Sequence, residues 1–169
     1  MKNNNYQLNT GFLSTPFLCS VLSSYGHTDT AYKLLLQDTA PSWLYEVKKG
    51  ATTIWETWNG IYENHKVSAS LKHYYYGAIA GWLFGDVAGI KLNYGKITIA
   101  PHPDKSIGFA SATYNSPLGK ISSKWEYKNN GIIYSIEIPA NCTAEIILPN
   151  GEKHYVTAGK YTFSYGLTQ

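Results

Sequence analysis

Up to about Ile90 the apolar residues recur at intervals of three and four, and beyond Tyr94 they alternate with polar ones. The first period predicts helices and the second predicts strands. Thr15-Pro16 predicts a helix start, a capping hydroxyl followed by proline in the first turn. Phe17, Leu18, Val21, Leu22 and Tyr25 follow at helical spacing, and Gly26 supplies the stop. A second helix is expected from about Asp29 through Leu36, and a short third from Ser42 to Lys49, closed by Gly50. Ser70 is expected to open a long fourth helix carrying Leu71, Tyr74, Tyr75, Ala78, Ile79, Trp82, Leu83 and Val87. Strands are expected at 96–100, 109–114, 120–127, 132–138, 144–148, 154–156 and 159–164. Between them Asn115–Gly119, Asn129-Asn130-Gly131 and Pro149-Asn150-Gly151 read as turns. The fold class is therefore α+β in two segregated parts, with helices over 1–92 and an antiparallel β-sandwich over 93–169.

The helical part does not read as a self-contained bundle. Its predicted faces are strongly apolar and lack a clear polar outside. Gly77, Gly81 and Gly85 lie four apart on the long helix, a stripe that lets another helix approach closely at a cost in propensity. Together with the tryptophans it asks for partner helices that this sequence does not encode. We expect the helical part to belong to something larger.

Charge and composition remove several classes. The net charge is +3 and the lysines are scattered, which excludes a nucleic-acid footprint and a polybasic membrane patch. The apolar stretch from Tyr74 to Ile90 contains Asp86 and four glycines and is short for a bilayer, so a buried helix is expected there. Fifteen Tyr and five Trp could stack on sugar rings, but aromatics also fill cores, and composition alone favours the core. Cys19 and Cys142 form neither a metal motif nor a disulfide framework. Asn141-Cys142-Thr143 fits the glycosylation pattern, which is short and matches often by chance. Met1–Asn5 offers no apolar region of a signal peptide, and the compartment is left open.

Candidate chemistry concentrates in Gly50-Ala51-Thr52-Thr53-Ile54-Trp55-Glu56-Thr57-Trp58-Asn59-Gly60. One carboxylate between two tryptophans, with few other charges nearby, makes Glu56 a candidate acid or base with aromatic walls suited to a sugar. The competing reading is structural: Thr53-x-x-Glu56 is a capping box, and the tryptophans are core. The local pattern by itself favours that second reading. His73, before Tyr74-Tyr75-Tyr76, is a core histidine or a hydrogen-bonding partner for a sugar hydroxyl or a carboxylate. Glu63, His65 and Lys66 read as solvated loop residues, Asp29 as a cap, Asp86 as solvent-facing or paired with a lysine, and His102 as strand-end geometry. No metal-ligand spacing, phosphate loop or nucleophile elbow is present.

Several stretches, taken in order, resemble one family. They are Thr10–Leu18, Tyr25-Gly26, Pro41–Tyr45, Gly50–Glu56, Ser70-Leu71 with His73-Tyr74, Tyr76-Gly77-Ala78 and Gly81-Trp82-Leu83. Ala88-Gly89-Ile90, Ile99–Pro103 and Ile138–Asn141 complete the set. From about Gln7 onward the chain resembles the C-terminal region of glycoside hydrolase family 78, the bacterial α-L-rhamnosidases. The resemblance implies the end of an (α/α)6 barrel followed by the sandwich, and an inverting mechanism with no metal or organic cofactor. It implies Glu56 as the general base that activates water, His73 as a rhamnose contact beside it, and Trp55 and Trp58 as pocket lining. The acidic loop that carries the family's general acid is absent here, as are the first barrel helices. Lys72 stands where the family often has a neutral polar residue. The expectation is a truncated product, an isolated domain or half of a split gene, a poor enzyme or none when alone, with apolar helix faces open to self-association.

Three functions follow from this. The first is the base-bearing part of a rhamnosidase acting on rhamnose-containing carbohydrate together with the family's N-terminal portion. The second is a carbohydrate-binding module that does not hydrolyse. The third is a structural or oligomerising relic.

Overall fold

The computed structural model describes residues 5–62 and 64–166. The expectations for Met1–Asn4 and for Glu63 fall outside the described residues. The chain divides into two compact units, Met1–Ala80 and Gly81–Gln169.

The first unit contains three α-helices, α1 (Thr15–Ser24), α2 (Thr28–Leu35) and α3 (Trp43–Lys48). Helix α1 ends where expected, with Gly26 at φ +79°, a backbone that glycine adopts at little cost. Its start differs from the expectation. Ser14 occupies the N-cap with no side-chain cap bond, and the Thr15 hydroxyl donates to the Gly11 carbonyl at 2.9 Å. Asp29 does not cap α2; His27 stands there, and Asp29 pairs with Lys33 at 3.1 Å on the exposed first turn. Helix α3 is capped by the Ser42 hydroxyl, which accepts from the Tyr45 N–H at 3.1 Å.

The face that α1 buries is its small-residue face, Thr15, Cys19 and Ser23. Its large residues point outward: Phe17 is 66% exposed, Val21 50%, Tyr25 79%, and Leu13 just before the helix 83%. These four lie four residues apart, one stripe along the helix. The unit's own core is instead built from Leu8, Tyr32, Leu34, Trp43, Trp55, Trp58 and Tyr76.

The predicted long helix from Ser70 does not form as one piece. Residues 70–74 are non-helical. A 3₁₀ turn spans Tyr75–Ala78, one α turn (α4) spans Ile79–Trp82, and a π turn spans Leu83–Val87. The cause is competition for backbone groups. The His73 N–H donates to the Ile54 carbonyl, the Ser70 carbonyl accepts from Glu56, and the Ser70 hydroxyl takes the Lys72 N–H. Backbone groups committed to the facing limb or to a side chain are not free for a helical ladder.

The second unit holds two four-stranded sheets, ordered β1-β2-β6-β7 and β3-β4-β5-β8. The strands are β1 (Ile90–Asn93), β2 (Lys96–Ile99), β3 (Phe109–Ser116), β4 (Gly119–Lys128), β5 (Gly131–Ile138), β6 (Ala144–Ile147), β7 (Lys153–Val156) and β8 (Gly159–Tyr165). All pairs are antiparallel except β2 with β6, which is parallel, so the sandwich is not purely antiparallel. Strand β1 was not expected; it forms a hairpin with β2 across Tyr94-Gly95, both at positive φ, the backbone of a tight two-residue turn. Asn129-Asn130 closes β4 and β5 in the same way. Ile97, Ile99, Ile121, Trp125, Tyr134, Ile136 and Ile146 alternate along their strands and are buried, each contributing roughly 1.5–3 kcal/mol of apolar transfer. Trp125 Nε1 donates to the Val87 carbonyl at 2.7 Å and the Ser123 hydroxyl to the Ala88 carbonyl at 2.6 Å. These two β4 side chains satisfy carbonyls at the end of the π turn, which would otherwise be buried unpaired. Asp86 is buried and pairs with Lys91 at 2.9 Å. His102 donates its backbone N–H to the Asp86 carbonyl, and burial lowers its side-chain pKa against the opposing pull of Asp86.

Among the described residues, no helix is long and apolar enough to cross a membrane, and no group of three or more His, Cys, Asp or Glu is placed to hold a metal.

Candidate active site

Residues 53–62 and 64–73 supply the two limbs of an irregular hairpin in the first unit. Its tip is a turn in which the His65 N–H donates to the Tyr62 carbonyl and the Tyr62 N–H to the Lys66 carbonyl. Ile61 bridges Val67, the Ser68 N–H donates to the Gly60 carbonyl, and the Thr57 and Ser68 hydroxyls meet at 3.0 Å. Nearer the base, the Glu56 N–H donates to the Ser70 carbonyl at 2.9 Å and the His73 N–H to the Ile54 carbonyl at 2.8 Å. Glu56 and His73, seventeen positions apart in sequence, are thus brought onto neighbouring limbs of one hairpin.

This geometry decides between the two readings of Thr53 and Glu56 as a capping pair or otherwise. No helix starts there. The Thr53 hydroxyl donates across the hairpin to the Leu71 carbonyl, and Glu56 Oε2 accepts from the Ser70 N–H at 3.0 Å. The carboxylate is half-buried and held by one oxygen.

The aromatic neighbours form two groups. His73 stacks on Phe12, at 5.0 Å and 7° interplanar angle, and on Tyr74, at 5.5 Å and 6°. Its Nδ1 faces the Tyr75 N–H at 3.5 Å. Trp58 stacks on Tyr76 at 3.8 Å and meets the edge of Trp43 at 5.2 Å, while its Nε1 donates to the Thr10 carbonyl at 3.2 Å. Such contacts fix ring orientation and leave little rotamer freedom. Trp55 is only 2% exposed and its ring lies against Gly60, where an added Cβ would come within 3.0 Å. It offers no open ring face in this chain.

A cleft of about 530 Å³ is lined by Thr10, Thr57, Trp58, Asn59 and Tyr76, with Leu8 and Pro41 at its apolar side. Of the four site residues expected from sequence, Trp58 lines it; Glu56, Trp55 and His73 stand outside its lining.

Sequence reasoning did not single out Glu46. It is 2% exposed, on α3. Its Oε2 accepts the Trp55 N–H at 3.1 Å, and Oε1 has no hydrogen-bond partner. Burial pushes its pKa up to about 7, against the opposing pull of the Trp55 N–H. The available signal was its spacing, three residues after Trp43 on one helix face. Phe12 and Ser70 were also missed as site-shaping residues, since neither contact is local in sequence.

The chain matches the family model of the bacterial alpha-L-rhamnosidase 6 hairpin glycosidase domain over residues 1–87, and that of the bacterial alpha-L-rhamnosidase C-terminal domain over residues 87–163. An alpha-L-rhamnosidase of Formosa agariphila is 42% identical over 166 residues, covering 94% of this chain and 18% of that protein. The crystal structure of Streptomyces avermitilis alpha-L-rhamnosidase complexed with L-rhamnose is 33% identical, with a TM-score of 0.92, covering 97% of this chain and 18% of that one. The native enzyme of Aspergillus terreus gives 32% identity and a TM-score of 0.93, over 96% of this chain and 20% of its own. The chain therefore spans about a fifth of the length of the relatives it matches. It belongs to the bacterial α-L-rhamnosidase family and corresponds to a C-terminal portion of its members.

Proposed function

We propose that this chain is the base-bearing C-terminal part of an inverting α-L-rhamnosidase, which removes terminal α-L-rhamnose from glycans or glycosides. In this reading Glu56 is the general base. One observation carries it: Glu56 Oε2 is anchored by the Ser70 N–H on a hairpin whose other limb presents His73. With one oxygen anchored, the other is left to take a proton from water, as a positioned base must. His73, its ring fixed by stacking on Phe12, is a substrate contact, and Trp58 supplies an aromatic wall. Trp55 supports the loop from the interior.

An inverting enzyme needs a second carboxyl about 6.5–9.5 Å from the first, with room for water between them. Among the described carboxyls of the first unit, Asp29 and Asp38 are held by Lys33 and Lys48, and Glu46 is buried. We therefore place the general acid in the rest of the enzyme. The exposed stripe of Leu13, Phe17, Val21 and Tyr25 supports the same division, since such a stripe on a soluble protein marks an interface. It would be covered by that remainder or, in its absence, by a second copy of the chain.

The test is release of the leaving group from an aryl α-L-rhamnoside. The reading expects no release by the 169-residue chain alone, and release with first-formed β-rhamnose, read by proton NMR, when the rest of the enzyme is supplied. First-formed α-rhamnose would refute the inverting mechanism. Release by the chain alone that is lost in Glu56→Gln would refute the division of acid and base.

A further inference from the structure

Glu46 carries a buried carboxyl in the first unit. It is 2% exposed, one oxygen has no partner, and among the described residues no lysine or arginine pairs with it. Packing alone does not account for such a group, since a leucine of similar volume would fill the space without bringing a carboxyl out of water.

What Glu46 does contact is specific. Its main-chain carbonyl accepts the Ala51 N–H at 3.0 Å, and its side chain accepts the Trp55 N–H at 3.1 Å. One residue therefore holds both ends of the segment 51–55 that leads into Glu56. The next bonds continue the grip, with the Glu56 N–H on the Ser70 carbonyl and the His73 N–H on the Ile54 carbonyl. The Ile54–Trp55 peptide is held through its N–H by Glu46 on α3, and the next peptide, Trp55–Glu56, is held through its N–H by Ser70 on the other limb of the hairpin.

We propose that Glu46 is a positioning residue for the base: its side chain fixes the main chain of Trp55 and through it the placement of the Glu56 carboxylate. This rests on the reading of Glu56 as base. Glu46 is buried and lies outside the lining of the cleft, so its removal acts on the alignment of the base in the transition state rather than on binding. Misplacement of a catalytic group by about 1 Å costs roughly a hundredfold in rate.

The test uses three variants. Glu46→Gln keeps an oxygen for the Trp55 N–H; Glu46→Leu keeps volume without an acceptor; Glu46→Asp keeps the carboxyl but falls short of the N–H. In the 169-residue chain, hydrogen exchange at the Trp55 amide should stay within about threefold of wild type in Glu46→Gln and speed up at least about tenfold in the other two. In the complete enzyme, kcat on an aryl α-L-rhamnoside should fall about 10–100-fold in Glu46→Leu and Glu46→Asp at nearly constant KM, and Glu46→Gln should restore it to within about threefold. If Glu46→Leu does not fold, the pair of Glu46→Gln and Glu46→Asp decides. Equal kcat in the Gln and Asp variants, or unchanged Trp55 exchange in all three, overturns the proposal. Loss of activity in Glu56→Gln alongside normal Glu46 variants would sink the positioning role alone, whereas full activity in Glu56→Gln would sink the base reading.

Discussion

Glu56 and Ser70 bind one another twice: the Glu56 N–H donates to the Ser70 carbonyl at 2.9 Å, and the Ser70 N–H donates to Glu56 Oε2 at 3.0 Å. The side chain proposed as base is therefore also a structural fastener of the hairpin. Glutamine at 56 keeps an oxygen for the Ser70 N–H; alanine does not. Glu56→Gln should melt within about 2 °C of wild type, and Glu56→Ala should lose about 1–2 kcal/mol, the order of a lost hydrogen bond at a solvent-exposed position. Thermal unfolding followed by circular dichroism checks both.

The buried carboxyl of Glu46 makes stability depend on pH. Its folded pKa is raised from the ordinary 4.5 to about 7 by burial, so between those values the folded state binds the proton more tightly than the unfolded chain. Stability must then fall as pH rises from about 4.5 to 7 and level off above, by about 3 kcal/mol in all. The ionisable group facing Glu46 is Tyr76, whose own pKa is raised by burial and by Glu46, so it stays neutral throughout this window. Glu46→Gln removes the titration. Its stability relative to wild type, from urea unfolding at a series of pH values, should improve across the window and stay constant outside it.

Two glycines at the same φ of +79° should respond very differently to alanine. At Gly89 a Cβ would come within 2.2 Å of the Pro101 nitrogen and 2.4 Å of the Ala100 carbonyl carbon; at Gly95 nothing lies within 4 Å. Gly95→Ala should cost about 1 kcal/mol from left-handed backbone strain alone. Gly89→Ala adds a backbone clash that no rotamer relieves and should cost at least about 3 kcal/mol. Urea midpoints of the two variants measure the difference.

The outward stripe of α1 predicts self-association of the isolated chain. Phe17→Lys with Val21→Lys places two charges at positions that are 66% and 50% exposed, so the fold should be retained while the sticky surface is lost. Sedimentation velocity should show concentration-dependent association of the wild-type chain and a monomer for the double variant.

The sandwich was legible in the sequence because its signals are local. Alternation in Lys96–Ile99 and Gly131–Ile138 and the Asn129-Asn130 turn each fix their element within a few residues. Strand β1, Ile90-Lys91-Leu92-Asn93, escaped because it follows directly on the apolar stretch that was read as the end of a helix, and the parallel pairing of β2 with β6 is a long-range choice that no local pattern encodes. The helical part misled for a different reason. Leu71, Tyr74 and Tyr75 do have helical spacing, but the backbone at 70–73 is committed to residues 54 and 56. The same non-local pairing turned an apparent capping box into a hairpin. In α1 the apolar period was read correctly as helix, yet the face it marks is the exposed one. Family resemblance singled out Glu56 and His73; their placement on the two limbs of one hairpin is what the structure adds.

The measurement that bears most directly on the account is kcat for an aryl α-L-rhamnoside in the complete enzyme with Glu56→Gln. Loss of a positioned general base typically costs 10²–10⁴-fold, and the account predicts a fall of roughly that size, with melting temperature and KM close to wild type. A kcat within about threefold of wild type in the folded variant would mean that Glu56 fastens the hairpin and does nothing more.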